Sequence, residues 1–330
     1  MPIKYLILNK QFYLMKKTNF SDSMVFIKGM FMGIADIVPG VSGGTIAIIT
    51  GIYEELLKTL DGIELKIFSD FKKHGIKDVW ENYNLSFLFR VVSGIFLSIM
   101  IFSQFILLII KNHPIALWSL FFGLILASIV FLLKETDNLN FKNSKFIIPS
   151  QLYLLLFGIF VAIYVQTIKP NEGDINFIYL FFCGMISITA MLLPGISGAY
   201  ILVLLGAYET MLTTFKEILK FNTDYFINFF SFVFGALLSV KLFSKFLSWS
   251  YKNHKNNTLY GLIGFMIGSL PSLWPWKKNL EKTDSFFENL YIPNNYFNNS
   301  EFNQGLIFFS IGFLIVLCLE FYSKKNAIKK

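Results

Sequence analysis

Val38-Pro39-Gly40-Val41-Ser42-Gly43-Gly44 lies in the middle of an apolar region covering residues 24–57, and Leu193-Pro194-Gly195-Ile196-Ser197-Gly198-Ala199 lies likewise within 178–213. Neither region can be one continuous helix. Proline removes a backbone donor and glycine admits positive φ, so each region is expected to form two half-helices joined by a short non-helical loop. The apolar flanks put these loops at membrane depth, where irregular backbone is tolerated only inside protein or along a polar cavity.

Six uninterrupted apolar runs surround the broken regions, at 86–110, 114–133, 147–168, 225–249, 258–275 and 304–322. Each has the length of a helix crossing a hydrocarbon core about 30 Å thick. The 330 residues are 55% hydrophobic, 18% aromatic and 15% charged, whereas soluble chains carry about 45–50% apolar and about 25% charged residues. An ordinary soluble enzyme is excluded, and an all-α polytopic membrane protein is expected. The net charge of +8 calls for no nucleic acid, because the lysines fall in short loops and tails as the positive-inside rule requires. Residues 1–17 carry Lys4, Lys10, Lys16 and Lys17 without a long apolar core or a small-residue cleavage site, so the N-terminus is expected to remain cytoplasmic. Cys183 and Cys318 lie in apolar stretches with no disulfide or metal-ligand spacing and are expected as buried thiols.

The chain repeats itself. A shift of 155 residues lays Gly29 on Gly184, Met30 on Met185, Ala35 on Ala190, Pro39-Gly40 on Pro194-Gly195 and Ser42-Gly43 on Ser197-Gly198. The same shift carries Gly51, Tyr53, Glu54 and Leu57 onto Gly206, Tyr208, Glu209 and Leu212. Downstream, a shift of 141 lays Gly94 on Gly235, Leu97-Ser98 on Leu238-Ser239, Lys111-Asn112-His113 on Lys252-Asn253-His254, and Gly123 on Gly264. Fixed-period self-similarity marks a duplication. The expected division is an N-terminal tail at 1–23, membrane repeats at 24–169 and 170–322, and a basic C-terminal tail at 323–330.

Lysine placement bears on topology. With Lys28, Arg90, Lys241 and Lys245 set aside as embedded, re-entrant broken segments put 18 basic residues inside and 7 outside, whereas spanning segments split them 12 to 13. The positive-inside rule therefore favours two re-entrant hairpins entering from opposite faces, hence an inverted duplication with three further transmembrane helices per half and both termini cytoplasmic.

A glycine-rich loop feeding a half-helix offers free N–H groups and a partial positive charge, which attract a phosphate or carboxylate. Ser42 and Ser197 are placed to cap the second half-helices, Gly43, Gly44 and Gly198 allow close backbone approach, and Thr45 adds a hydroxyl. The same loops also read as tight turns with close helix packing. Asp36, whose repeat partner is Met191, is an acidic group at membrane depth, suited to proton or sodium coupling or to pairing with Lys28 or Arg90. Arg90 can clasp a phosphate in bidentate fashion or snorkel to the interface. Glu54 and Glu209 recur beside Tyr53 and Tyr208, tyrosines expected in the aromatic belt. The substrate-binding set thus comprises Asp36, Pro39, Gly40, Ser42, Gly43, Gly44, Thr45, Pro194, Gly195, Ser197 and Gly198, with Arg90, Glu54 and Glu209 as further candidates. His74, His113 and His254 lie in loops without metal-ligand spacing, and no nucleophile–base pair assembles, so no catalytic residue, metal or cofactor is expected.

The stretch from Gly29-Met30 through Asp36, Pro39-Gly40-Val41-Ser42-Gly43-Gly44-Thr45 to Gly51-Ile52-Tyr53-Glu54, with its echo at Leu193–Gly198, resembles the polyprenyl phosphate transporter family of prokaryotic inner-membrane proteins. The likeness covers about residues 24–322, including the Gly264 to Pro271 stretch. It implies transfer of undecaprenyl phosphate from the outer to the inner leaflet for cell-envelope synthesis, by a transporter and not an enzyme. It further implies a pocket of Asp36, Ser42, Gly43, Gly44, Thr45, Ser197 and Gly198. Ala199, where the first half has Gly44, departs from the repeated motif. The competing reading is an ion-coupled secondary transporter of a small anion, with a sealed polar cavity in place of a groove open to lipid.

Overall fold

The computed structural model describes residues 22–38, 41–64, 66–136, 149–168, 175–277, 290–293 and 300–328. The described residues are helical, with one isolated bridge between Lys277 and Leu290. The first repeat begins with α1 (Asp22–Ile37), α2 (Gly43–Ile49), α3 (Tyr53–Gly62) and α4 (Ile67–Asn82), and continues with α5 (Leu85–Asn112), α6 (Pro114–Glu135) and α7 (Pro149–Thr167). The second comprises α8 (Phe177–Leu192), α9 (Gly198–Leu204), α10 (Tyr208–Leu219), α11 (Phe226–Asn253), α12 (Lys255–Ser269) and α13 (Ser300–Ile328). Shifting α1 and α2 by 155 residues reproduces the bounds of α8 and α9, and shifting α5 by 141 reproduces those of α11.

Each broken region contains two breaks, not the single break expected. After α2 the chain turns again at Gly51 (φ 73°), and after α9 at Gly206 (φ 68°). The Gly51 N–H bonds to the Ile48 carbonyl and Ile52 N–H to Ala47, while Gly206 bonds to Val203 and Ala207 to Leu202. This is the Schellman pattern, in which a left-handed glycine lets two amides reach back to the orphan carbonyls of the ending helix. α9 and α10 are bent by 110° at this break.

Among the described residues, five helices are long and apolar enough to cross a membrane, six if the bent α9–α10 pair forms one span. The run expected at 258–275 is not among them. α12 stops at Ser269 and continues as a 3-10 turn, Leu270–Leu273. Pro271 cannot donate to the ladder and its ring clashes with the turn before it, so the helix ends there. α12 is nonetheless central, with Leu259, Tyr260, Ile263 and Met266 all at or below 1% exposure.

Packing interlaces the repeats. α1 pairs with α5 and α8 with α11, each within its own half, but α6 packs along α13 and α12 along α7, each across the halves. Glycines set these crossings. A Cβ at Gly94 would overlap the Phe26 carbonyl oxygen and one at its counterpart Gly235 that of Phe181; Gly123 and Gly264 meet Phe309 and Leu155 in the same way. Small residues allow this backbone approach, which is how membrane helices associate without a hydrophobic driving force. The outward faces carry Phe89, Phe96, Met100 and Phe105 on α5 and Phe230, Phe234 and Leu237 on α11, a lipid-facing surface. Cys183 is buried as expected, but Cys318 is exposed, because on an apolar span the outward face is as hydrophobic as the inward one.

Candidate functional site

The two broken regions meet. Ser42, buried, is the N-cap of α2 and accepts a hydrogen bond from the Gly44 N–H at 3.1 Å. Its hydroxyl lies within donating distance of the Met191 carbonyl (3.2 Å) and the Leu193 carbonyl (3.1 Å) at the end of α8. The Tyr53 hydroxyl donates to the carbonyl between them, Leu192, at 2.8 Å. Thr45, fully buried, accepts from the Gly195 N–H at 3.0 Å. A helix that stops inside the protein leaves its last carbonyls without intrahelical partners. Here two hydroxyls of the first repeat face three successive carbonyls of the second, Ser42 with its one proton within reach of two of them.

Glycine suits this junction for two reasons. Gly195 holds φ at 85°, in the left-handed region where a side chain is strained. At Gly44 a Cβ would stand 3.1 Å from the Met191 oxygen and 3.3 Å from that of Leu192, so a side chain there would require these carbonyls to give by a few tenths of an ångström.

The two short helices are capped differently. The first free amide of α2, Gly43 N–H, donates to Asp36 Oδ1 at 2.7 Å. A carboxylate of this chain therefore occupies the place where a helix N-terminus attracts an anion. At the matching position facing α9, Met191 offers no carboxylate. Ser197 caps α9 by accepting from Tyr200 N–H at 3.4 Å, and the Ser187 hydroxyl donates to the Gly198 carbonyl at 3.1 Å.

Of the expected site residues, the structure brings together Asp36, Ser42, Gly43, Gly44, Thr45 and the Gly195 end of the second loop. Pro194, Ser197 and Gly198 follow in the same buried segment. Pro39 and Gly40 lie outside the described residues. Asp36 pairs with neither Lys28 nor Arg90. The Arg90 guanidinium bridges to Asp22 at 2.8 Å, at the first turn of α1, fourteen residues and about 21 Å along the helix from Asp36. Glu54 opens α3 and pairs with Lys58, and Glu209 opens α10, exposed. Both follow the second break, and both are exposed.

Two side chains at this site have roles the sequence did not disclose. Tyr53, expected at the membrane interface, is 4% exposed and bonded to Leu192; its counterpart Tyr208 is 38% exposed. Lys28, one of the two alternative partners for Asp36, instead donates from Nζ to the Thr50 carbonyl at the C-cap of α2, at 2.6 Å.

Helices of spanning length, packed through glycines around two abutting broken segments, define a polytopic integral membrane protein. The family described as undecaprenyl phosphate translocase-like matches residues 32–289, and the chain belongs to it. It is similar to the polyprenyl-phosphate transporter of Vibrio cholerae serotype O1, 35% identical over 91% of this chain and 96% of that protein. It is also similar to the polyprenyl-phosphate transporter of Staphylococcus aureus, 29% identical over 76% of this chain and 85% of that protein. No solved structure matches it.

Proposed function

We propose that this protein carries undecaprenyl phosphate from the outer to the inner leaflet of the cytoplasmic membrane, returning the carrier lipid to cell-envelope synthesis. The observation that carries the reading is the similarity, over nearly the whole of both chains, to a protein named polyprenyl-phosphate transporter. No bond in the substrate need change. The isoprenoid tail stays in lipid while the phosphate exchanges water for protein donors, so the task is to lower the cost of desolvating a charged head-group.

The junction of the two loops suits that task. A phosphate reaching it would take over hydroxyl donors that now serve the α8 carbonyls, Ser42 first, and would meet the Gly43-Gly44-Thr45 and Pro194-Gly195-Ser197-Gly198 backbones at close range. Pro39 and Gly40 belong to the same loop by sequence. Asp36 is the candidate for proton or sodium coupling.

The re-entrant, inverted arrangement fits this function, since paired half-helices entering from opposite faces form one site reachable in turn from either side. It is supported by the lysine distribution, by the 110° bend between α9 and α10, and by the seven residues of α2 and α9, each covering about 10 Å of a core about 30 Å thick. A cysteine at Lys72 should label from the same side as the N-terminus; labelling from the opposite side would sink the re-entrant reading.

The central test is leaflet transfer of labelled undecaprenyl phosphate in proteoliposomes, wild type against Ser42→Ala with Ser197→Ala. Faster transfer by the wild type, largely lost in the variant, is expected. Absence of protein-dependent transfer under any ion gradient would turn the assignment to a small-anion transporter.

A further inference from the structure

α1 holds α2 at both ends. Asp36 accepts from the first amide, Gly43, and Lys28 donates to the C-cap carbonyl, Thr50. The two side chains stand eight residues apart on α1, about 12 Å, and the seven residues of α2 cover about 10 Å, so one helix presents an anion and a cation at the spacing of the other's two ends. Each sign is the one that a helix dipole favours, negative at the N-terminus and positive at the C-terminus. Glu55 on α3 lies near enough to interact electrostatically with Lys28.

The second repeat has the same geometry without the charges. The counterparts of Asp36 and Lys28 are Met191 and Cys183. Leu205, the counterpart of Thr50, receives a neutral hydroxyl, that of Tyr179, at 2.8 Å. Burial differs in the same sense. Gly43 through Ile48 are all buried in α2, whereas in α9 only Gly198, Ile201 and Leu204 are.

We propose that Lys28 is a positioning residue for transport: with Asp36 it clamps α2 rigidly to α1, leaving α9 as the short helix that shifts when the head-group passes the junction. The role in transport rests on the function proposed above. The clamp itself can be read without substrate.

The test pairs amide hydrogen exchange in nanodiscs with leaflet transfer in proteoliposomes. In the wild type, amides of α2 should exchange at least about ten-fold more slowly than those of α9. Lys28→Met should raise exchange in α2 by about ten-fold while leaving α9 unchanged, and Lys28→Arg, which keeps the charge and a donor, should restore protection. In transport, Lys28→Met should lower the maximal rate about ten-fold with little change in the half-saturating lipid concentration, because α2 is misplaced and not removed. Equal exchange of α2 and α9 in the wild type would overturn the clamp, and that comparison stands even if Lys28→Met fails to fold. So would a folded Lys28→Met with wild-type protection and rate. Expected protection in a wild type that moves no polyprenyl phosphate would overturn the substrate reading alone.

Discussion

Tyr53 of the first repeat and Leu192 of the second are joined by a hydrogen bond of 2.8 Å from phenol to carbonyl, both residues being buried. Leu192 is the last residue of α8, and its carbonyl has no partner further along a helix that has already stopped. With Ser42 beside the flanking Met191 and Leu193 carbonyls, the start of one broken segment completes the end of the other. The halves are therefore tied by hydrogen bonds at the point where each is least regular.

Tyr53→Phe keeps the ring and removes only the donor. The Leu192 carbonyl is then left buried without that partner, which costs about 1–3 kcal/mol. The expected result is a lower Tm in detergent, with Tyr208→Phe, at the exposed counterpart, near the wild-type value.

The crossings predict a paired sensitivity. Because a Cβ at Gly94 or Gly235 overlaps a carbonyl oxygen of the neighbouring helix, Gly→Ala at either should force α5 from α1 or α11 from α8, at about 1–3 kcal/mol. Gly261 is the control, since nothing lies within 4 Å of a Cβ built there, and Ala has the better helix propensity. Thermal unfolding of the three variants should show two losses and no loss at Gly261→Ala.

What the sequence disclosed follows from which signals survive in an apolar chain. Pro39-Gly40 and Pro194-Gly195 mark the first breaks because proline is unambiguous, and the repeat shifts of 155 and 141 carry through to helix bounds. Gly51 and Gly206 were matched by the same shift, yet the breaks they cause were not legible, since single glycines are frequent inside membrane helices. The exchange of partners, α6 with α13 and α12 with α7, left no trace either. Periodicity identifies a packing face by contrast with a polar one, and these helices are apolar on both. At the loops, Ser42 and Thr45 are the residue types that an anion site and an inter-repeat hydrogen bond would both select, so residue type could not separate the two roles.

Arg90 illustrates a pairing that hydropathy alone could not assign. Its partner Asp22 is 77% exposed and the guanidinium 29%, so the bridge is worth about 0–1 kcal/mol. Standing at the far end of α1 from the loops, Arg90 should not contact the head-group. Arg90→Gln is expected to keep leaflet transfer within about two-fold of wild type, against a much larger loss for Ser42→Ala. A loss for Arg90→Gln matching that of Ser42→Ala would bring the arginine back into the substrate path.

Asp36 offers the sharpest test of energy coupling. One carboxylate oxygen accepts from Gly43, and the other, Oδ2, is buried without a hydrogen-bond partner among the described residues. A carboxylate at membrane depth is costly unless neutralised, and a proton or a sodium ion at Oδ2 would neutralise it. Asp36→Asn keeps an oxygen for the Gly43 amide but removes the charge, so the loop should stay in place while ion coupling is lost. Downhill transfer of polyprenyl phosphate should therefore persist, and its acceleration by an imposed pH or sodium gradient should disappear. Varying sodium at fixed pH, then pH at fixed sodium, tells which ion the wild type uses. Retention of the full gradient response in Asp36→Asn would remove the carboxylate from coupling and leave it as the cap of α2.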